Sequence, residues 1–119
     1  MNEEKKILHL TLKKEWFARI ASGEKVEEYR EWKPYWATRL AGSMSGAMAV
    51  YHGDDDRWNK YDIVRFKNGY HKKAPQLDVE CAGIYLGKGR PEWGGTDKCI
   101  IIKLVKYFQL KTISNERRG

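Results

Sequence analysis

Alternating hydrophobic and polar residues open the chain. Residues Ile7 to Leu12 place a leucine at every second position, the period of a half-buried strand. From Lys14 to Ser22 the apolar residues recur at helical spacing, which predicts an amphipathic helix. Gly23 follows as a stop signal, because glycine readily adopts the left-handed conformation that closes a helix. The residues from Lys25 to Glu31 are therefore expected to form a second extended segment.

The middle of the chain is aromatic at first and then rich in small residues. Trp32 to Leu40 carries Pro34 at a position suited to a first helical turn, and predicts a short second helix. Ala41 to Ala47 is rich in Gly, Ser and Met and is predicted to be a loop. The short apolar segment Met48 to Tyr51 separates it from another predicted loop at Asp54 to Asp56.

The second half of the chain contains three β-rich runs. They are Tyr61 to Phe66, Leu77 to Leu86 and Cys99 to Phe108, and the last is expected to be a central strand. Gly83 interrupts the second run, as glycines do at bends and bulges. Between Gly87 and Thr96, four glycines and a proline predict an irregular excursion.

These elements predict an α+β fold. Many short strands with one good helix between the first two indicate a closed or nearly closed β-barrel of about five to six strands, with one or two peripheral helices. No internal repeat or linker is evident, so residues 1–119 are expected to form one indivisible domain. The polar residues 114–119 are expected to fray.

Charge narrows the possible partners. The formal net charge is +7, which attracts polyanions, so nucleic acid is a plausible partner and a generically basic surface is the alternative.

The charged start, Met1 to Lys6, lacks the apolar stretch of a signal peptide or a membrane span, so we expect a soluble cytoplasmic protein that binds no membrane. Cys81 and Cys99 form no C-x-x-C pair and have no histidine at zinc spacing, so we expect no metal and no other cofactor.

One motif stands out. The run Gly23-Glu24-Lys25-Val26-Glu27-Glu28-Tyr29-Arg30 fits the pattern G-x-K-x-x-E-x-R, and it follows a predicted strand and helix. The motif and its context resemble the ASCH domain family, whose fold is similar to that of PUA RNA-binding domains. The resemblance extends more loosely to the predicted strands at Tyr61 to Phe66 and around Cys99 to Val105.

The resemblance implies a PUA-like barrel and work on nucleic acid or nucleosides. Its members variously bind RNA, hydrolyse the acyl amide of N4-acetylcytidine or cleave RNA. The amidohydrolases carry Thr at the position of Glu28, so only Lys25 is transferred as a catalytic candidate on that ground. They also use a later carboxylate, for which the sequence offers several acids without selecting one: Asp54, Asp55, Asp56, Glu80 and Glu92.

The motif residues also suggest chemistry directly. Glu28 and Arg30 lie two residues apart on a predicted strand and should share a face, while Lys25 in the entering turn can lean over the same cleft. A net positive cluster favours an anionic ligand. Alternatively, a partly desolvated Lys25 oriented by Glu28 could act as a base or activate a nucleophile, which makes both of them catalytic candidates. A salt-bridge network that only fixes the turn is the structural alternative.

Aromatic residues interleave with cations after the motif. The rings belong to Tyr29, Trp32, Tyr35 and Trp36, and the cations to Arg30, Lys33 and Arg39. Such a mixture can stack bases while contacting phosphates. At least two of the rings are expected to pack in the interior, and Trp32 is predicted to be the exposed one. Further ligand-binding candidates are Arg65, Asn68 and Tyr70, and the glycine-rich segment 88–95 could fold over a ligand.

The sequence therefore favours a binding module for RNA or a modified nucleoside. The main alternative is a small metal-independent hydrolase of a nucleoside amide or of RNA that uses Lys25 with Glu28. A third interpretation is a regulatory accessory protein that binds another protein through its aromatic surface.

Overall fold

The computed structural model describes residues 4–105, which form five strands, three α-helices and two 3-10 helices. The strands are β1 (Ile7–Leu12), β2 (Glu27–Glu31), β3 (Ile63–Asn68), β4 (Gln76–Gly87) and β5 (Cys99–Leu104). The α-helices are α1 (Lys14–Ala21), α2 (Pro34–Ala41) and α3 (Met44–Tyr51), and the 3-10 helices are Asp55–Arg57 and Pro91–Trp93. The predicted α+β class is confirmed. No helix among residues 4–105 has the length and apolar character needed to cross a bilayer.

The five strands form a mixed sheet in the order β1-β3-β4-β5-β2. β1 pairs with β3 in parallel, whereas β3 with β4 and β2 with β5 are antiparallel. Five strands agree with the predicted five to six, and β5 has a neighbour on each side, as predicted for a central strand. The order leaves β1 and β2 as outer strands, so the described strands form an open sheet and not a closed barrel.

Backbone contacts divide the chain into two compact units. Within residues 4–105, the first unit comprises 4–26, 61–82 and 104–105, and the second comprises 27–60 and 83–103. β4 contributes its first half to one unit and its second half to the other. The prediction of a single domain stays a prediction.

The first unit is built on alternating strands. Leu8 lies opposite Val64 and Leu10 opposite Phe66 in the parallel pair, and Val64 lies opposite Val79 in the antiparallel pair. All five side chains are buried. The period-two pattern seen in the sequence thus places one face of β1 and β3 in the core, as the strand geometry requires.

The second unit is packed around β5. Ile100, Ile101 and Ile102 are consecutive and all are buried, which shows that this strand is covered on both faces. The helices bury small and aliphatic side chains such as Leu40 of α2 and Val50 of α3.

The prediction of a loop from Ala41 to Ala47, and with it the limit of two helices, is wrong. Ser43 accepts a hydrogen bond from the backbone N–H of Gly46 at 2.9 Å and so caps the start of α3. Gly46 then lies against Ala41, where a Cβ atom would overlap the carbonyl oxygen of Ala41. The Gly and Ser residues that suggested a loop therefore serve as a cap and as a close contact between two helices.

Other differences concern the ends of elements. β3 begins at Ile63 and not at Tyr61, because Asp62 is bound to the chain before β1: its carboxylate accepts from the N–H of Lys6, and its N–H donates to the carbonyl of Lys6, both at 2.8 Å. The last predicted strand is described as far as Leu104. Its predicted end at Phe108 and the tail predicted to fray at 114–119 lie outside the described residues.

Candidate functional site

The motif begins where α1 ends. Gly23 has a φ of 86°, in the left-handed region that favours glycine, and its N–H donates to the carbonyl of Ile20 at 3.1 Å. The N–H of Lys25 then donates to the carbonyl of Arg19 at 2.9 Å. The side chain of Lys25, which follows this turn, is completely buried, and its ammonium lies 5.4 Å from the ring centroid of Trp16.

The next motif residues lie on β2. An Arg30 Nη2 atom lies 3.2 Å from an Oε atom of Glu28, whose side chain is only 8% exposed. The two-residue spacing on a strand places both side chains on one face, as the sequence predicts. The two side chains form a largely buried ion pair, in which loss of the arginine would leave the desolvated carboxylate charge uncompensated. Lys25 belongs to the first unit and this pair to the second, so the convergence of all three charges stays a prediction.

Arg30 also takes part in a cation–aromatic cluster, made of Arg30, Tyr35, Trp36 and Arg39. The Cζ atoms of Arg30 and Arg39 lie 4.9 and 5.2 Å from the ring centroid of Trp36. Tyr35 meets Trp36 edge to face at 5.0 Å, and its hydroxyl accepts a bond from Arg39 Nη1 at 3.5 Å. The tyrosine is 60% exposed and Arg39 is exposed as well, whereas the side chain of Arg30 is only 18% exposed, so the cluster presents an aromatic ring and the Arg39 guanidinium to solvent.

The prediction that Trp32 is the exposed ring is wrong. Trp32 is half-buried and stacks on Tyr51 of α3, with ring centroids 5.7 Å apart and planes 19° apart. The ammonium of Lys98 lies 4.2 Å from the centroid of Tyr51. Trp32 is partly covered because α3, absent from the predicted elements, supplies a ring beside it. Tyr35 is exposed because it lies off the face of α2 that buries Ala37 and Leu40.

Tyr29 lies on the other face of β2 and has a different role. Its hydroxyl donates to Oε1 of Glu27 at 2.7 Å and accepts from the backbone N–H of Arg90 at 3.0 Å. Burial raises the pKa of the Tyr29 phenol, and the Glu27 carboxylate adds to the rise. Tyr85 donates to the other Glu27 oxygen at 3.5 Å, and its pKa is raised by burial and by the same carboxylate. Tyr29 therefore joins β2 to the glycine-rich segment.

That segment, residues 88–95, is folded onto the second unit. The N–H of Gly89 donates to the carbonyl of Thr96 at 2.8 Å, and the N–H of Gly95 donates to that of Arg90 at the same distance. Arg90 pairs with Glu92 at 3.0 Å, and the ring of Trp93 is buried beneath the Arg90 guanidinium. The pKa of Glu92 is lowered by a hydrogen bond from its own backbone and by Arg90.

The remaining ligand candidates belong to the first unit. Arg65 forms a two-point ion pair with Asp78 across β3 and β4, at 2.7 and 2.8 Å, and this hydrogen bonding raises the pKa of Arg65. The N–H of Asn68 donates to the carbonyl of Pro75 at 2.9 Å. Tyr70 is 88% exposed just beyond β3. Of the three, only Tyr70 presents its side chain largely to solvent.

The later acids include two with local structural roles. Asp54 accepts from the N–H of Asp56 at 3.3 Å, and Asp55 accepts from the indole N–H of Trp58 at 3.3 Å. Glu80 lines a cavity of about 230 Å³ in the first unit with Asp62 and Cys81. Within residues 4–105, no group of three or more His, Cys, Asp or Glu side chains is placed to hold a metal ion.

Sequence reasoning identified every residue of the cation–aromatic cluster but missed two residues that support Trp32. For Tyr51 the sequence holds a weak indication of a helix, because Met44, Met48 and Tyr51 are spaced so that they share one side of a helix. For Lys98 the sequence holds no such indication, because this residue directly precedes β5 and is brought to Tyr51 by the tertiary structure.

Comparison of the chain with protein-family models, with curated proteins and with solved structures found no match.

Proposed function

We propose that this protein binds single-stranded RNA or a modified nucleoside through the cation–aromatic cluster of the second unit. The observation that carries the proposal is that two guanidinium groups, Arg30 and Arg39, lie about 5 Å from one indole, beside a tyrosine that is 60% exposed. Exposed rings stack on unpaired bases, and guanidinium groups contact the adjacent phosphates.

The charges of the cluster support an anionic ligand. Glu28 neutralises part of the charge of Arg30 and holds its guanidinium in place at 3.2 Å, so we assign Glu28 a positioning role. Arg39 is exposed and directs its guanidinium towards the indole and the tyrosine hydroxyl. The net charge of +7 strengthens attraction to a phosphate backbone over the whole molecule.

The proposal agrees with the resemblance to the ASCH family. The motif Gly23 to Arg30 follows a strand and a helix, in the order expected for that family. On this ground we propose that the α+β fold is related to the PUA-like class, with its five described strands in an open mixed sheet.

Fluorescence anisotropy with a labelled single-stranded RNA of about twelve nucleotides tests the proposal. We expect salt-sensitive binding, and we expect Arg39→Ala to weaken it by about five- to tenfold while lowering the salt dependence by about one phosphate contact. Arg57→Ala is the matched control, because Arg57 is an exposed arginine of the second unit that contacts Ser45 and not the cluster. Equal affinities of the two variants, or no binding by the unmodified protein, would refute the proposal.

A second candidate function is hydrolysis of a nucleoside amide or an RNA phosphodiester, and the complete burial of Lys25 favours it. Enzymes use buried lysines as bases, and the side-chain nitrogen of the buried Lys25 lies 5.4 Å from the ring centroid of Trp16. Chromatography of N4-acetylcytidine and short RNAs after incubation tests it. Products formed by the unmodified protein and lost in Lys25→Met, a variant of similar shape, would support it, whereas products retained in the variant would rule out a role for Lys25.

A further inference from the structure

We propose that a groove between α2 and α3 receives one unstacked base of the bound RNA, with Trp32 as its stacking platform. This inference rests on the proposed function and adds a base-binding site to it. The groove has a volume of about 200 Å³ and lies within the second unit. Its walls include Trp32, Pro34, Thr38, Met44 and Met48.

The groove walls are mostly apolar. The Ala37 and Ala47 side chains are small and buried, which leaves room between the two helices. Met44 and Met48 are 58% and 52% exposed, so α3 directs two thioethers outward. Thioethers adapt their shape and make favourable contacts with aromatic rings. Contact of these walls with the face of a base is therefore more favourable than their contact with water.

The platform is held in place by a second ring. Trp32 stacks on Tyr51 at 5.7 Å and 19°, which restricts the indole, and Lys98 lies 4.2 Å from the centroid of Tyr51. A ring that is already restricted loses little entropy on stacking with a ligand. The structure therefore offers a base a preformed partner.

The charge at the groove fits an attached phosphate. Lys33 lines the groove and forms an ion pair with Glu31 at 3.1 Å, and both side chains are more than half exposed. Exposed pairs of this kind contribute little to stability, so Lys33 can turn to a phosphate at small cost. Thr38 supplies a hydroxyl, which at present donates to the carbonyl of Pro34 at 2.7 Å.

Other occupants fit less well. A partner helix binds a groove through anchors spaced over two turns, whereas about 200 Å³ accommodates roughly one ring or one large side chain. A second copy of this chain would bring a further net charge of +7 towards Lys33 and Lys98. A base with its phosphate provides both the flat apolar body and the negative charge that the groove lacks.

Photo-cross-linking locates the base directly. A twelve-nucleotide RNA carrying one 4-thiouridine is bound to the full-length protein and irradiated, and the cross-linked peptides are mapped by mass spectrometry. We expect cross-links at Trp32, Met44 or Met48.

Affinity measurements with the same RNA add a quantitative test. Trp32→Ala should raise Kd by about tenfold or more, and Trp32→Phe by less than about threefold, because stacking of one base contributes on the order of 1–3 kcal/mol, that is about 5- to 150-fold. Lys33→Glu should raise Kd by about tenfold, whereas Lys60→Glu, the same charge change at an exposed lysine outside the groove, should raise it by less than about threefold. Circular dichroism confirms that each variant is folded, and the exposed Lys33 keeps the test valid if Trp32→Ala does not fold.

The outcomes separate this inference from the function on which it rests. Cross-links confined to Tyr35 and Trp36, with equal affinities of Lys33→Glu and Lys60→Glu, would overturn the groove and leave the proposed function standing. No RNA binding by the unmodified protein would overturn both. Tighter binding of an acidic amphipathic peptide than of RNA, lost in Trp32→Phe and Lys33→Glu, would assign the groove to a protein partner and overturn the inference.

Discussion

Two arginine sites, one in each unit, use their guanidinium groups differently. In the first unit, Arg65 meets Asp78 with two parallel hydrogen bonds of 2.7 and 2.8 Å, so its donor fork is filled by a carboxylate on the neighbouring strand. In the second unit, Arg30 and Arg39 approach one indole, and Nη2 of Arg30 lies 3.2 Å from a carboxylate oxygen of Glu28. The first arrangement matches the planar shapes of two side chains, whereas the second places cations on an aromatic surface.

The difference shows why a basic residue type alone does not identify a binding site. Arg65 was a ligand candidate on sequence grounds, yet a two-point pair with Asp78 is a typical way to join two strands. Arg39 is exposed and lies beside an exposed tyrosine, which is the combination that nucleic-acid surfaces use. What a guanidinium contacts in the fold is therefore more informative than its position in the sequence.

The largest expected effect is a loss of folding stability in the second unit, which carries the Arg30 and Arg39 side of the comparison. Gly46→Ala places a Cβ against the carbonyl oxygen of Ala41, which forces α2 and α3 apart, and should lower the free energy of unfolding by about 3 kcal/mol. Gly53→Ala is the control, because Gly53 has a φ of 99° but open space around it, and should cost only about 1 kcal/mol of backbone strain. Urea unfolding measures both, and an equally small loss in the two variants would contradict the close helix contact.

The second prediction sharpens the comparison directly. Arg39→Ala should weaken RNA binding by about five- to tenfold with little effect on thermal stability, because its side chain is exposed. Arg65→Ala should do the reverse, lowering the melting temperature while leaving the affinity within about twofold, because it leaves Asp78 without its cation. Anisotropy and thermal unfolding of the same preparations test this pair. A loss of affinity in Arg65→Ala would show that the comparison misplaces the binding surface.

The smallest expected effect concerns pH and two half-buried phenols of the second unit, Tyr29 and Tyr85. The pKa values of Tyr29 and Tyr85 are raised, so the folded state holds these protons more tightly than the unfolded state, which ionises near pH 10. Their contribution to stability is thus complete below about pH 10 and is lost as the pH rises towards the folded pKa values.

Tyr29→Phe should remove part of this loss and cost about 1 kcal/mol at neutral pH, since it deletes the bond to Glu27. Ultraviolet titration of the phenolates, combined with urea unfolding at pH 8 and pH 10.5, measures both effects. Ionisation of all tyrosines together near pH 10 in the folded protein would show that Tyr29 is not buried against Glu27.

Much of the local structure was predictable from sequence. The alternation in Ile7 to Leu12 and the helical spacing after Lys14 predict β1 and α1 because each pattern has a single period. Pro34 marked the start of α2, since proline fits a first helical turn. The pair of Glu28 and Arg30 was predictable as well, because residues two apart on a strand share a face.

The wrong predictions concern residues whose types are compatible with more than one structural role. Gly46 and Ser43 favour a loop when only neighbours along the chain are considered, yet here they are a helix–helix contact and a helix cap. Trp32 and Tyr35 are similar in local composition, and which ring is covered depends on α3, which supplies Tyr51. The Ser43 cap is local and follows a known sequence signature, whereas the Gly46 contact and the ring beside Trp32 depend on packing between helices.

The sequence by itself thus determined β1, α1 and α2 as element types, the net charge of +7 and the cation–aromatic composition of residues 30–39, because these follow from short-range periodicity and from counting. The tertiary structure decided that Arg65 is used in a strand pair, that Arg30 and Arg39 meet at Trp36, and that Trp32 stands against Tyr51. The physical reason is that partners are chosen by packing between distant segments, whereas a pattern reports only which side of its own strand or helix a residue occupies.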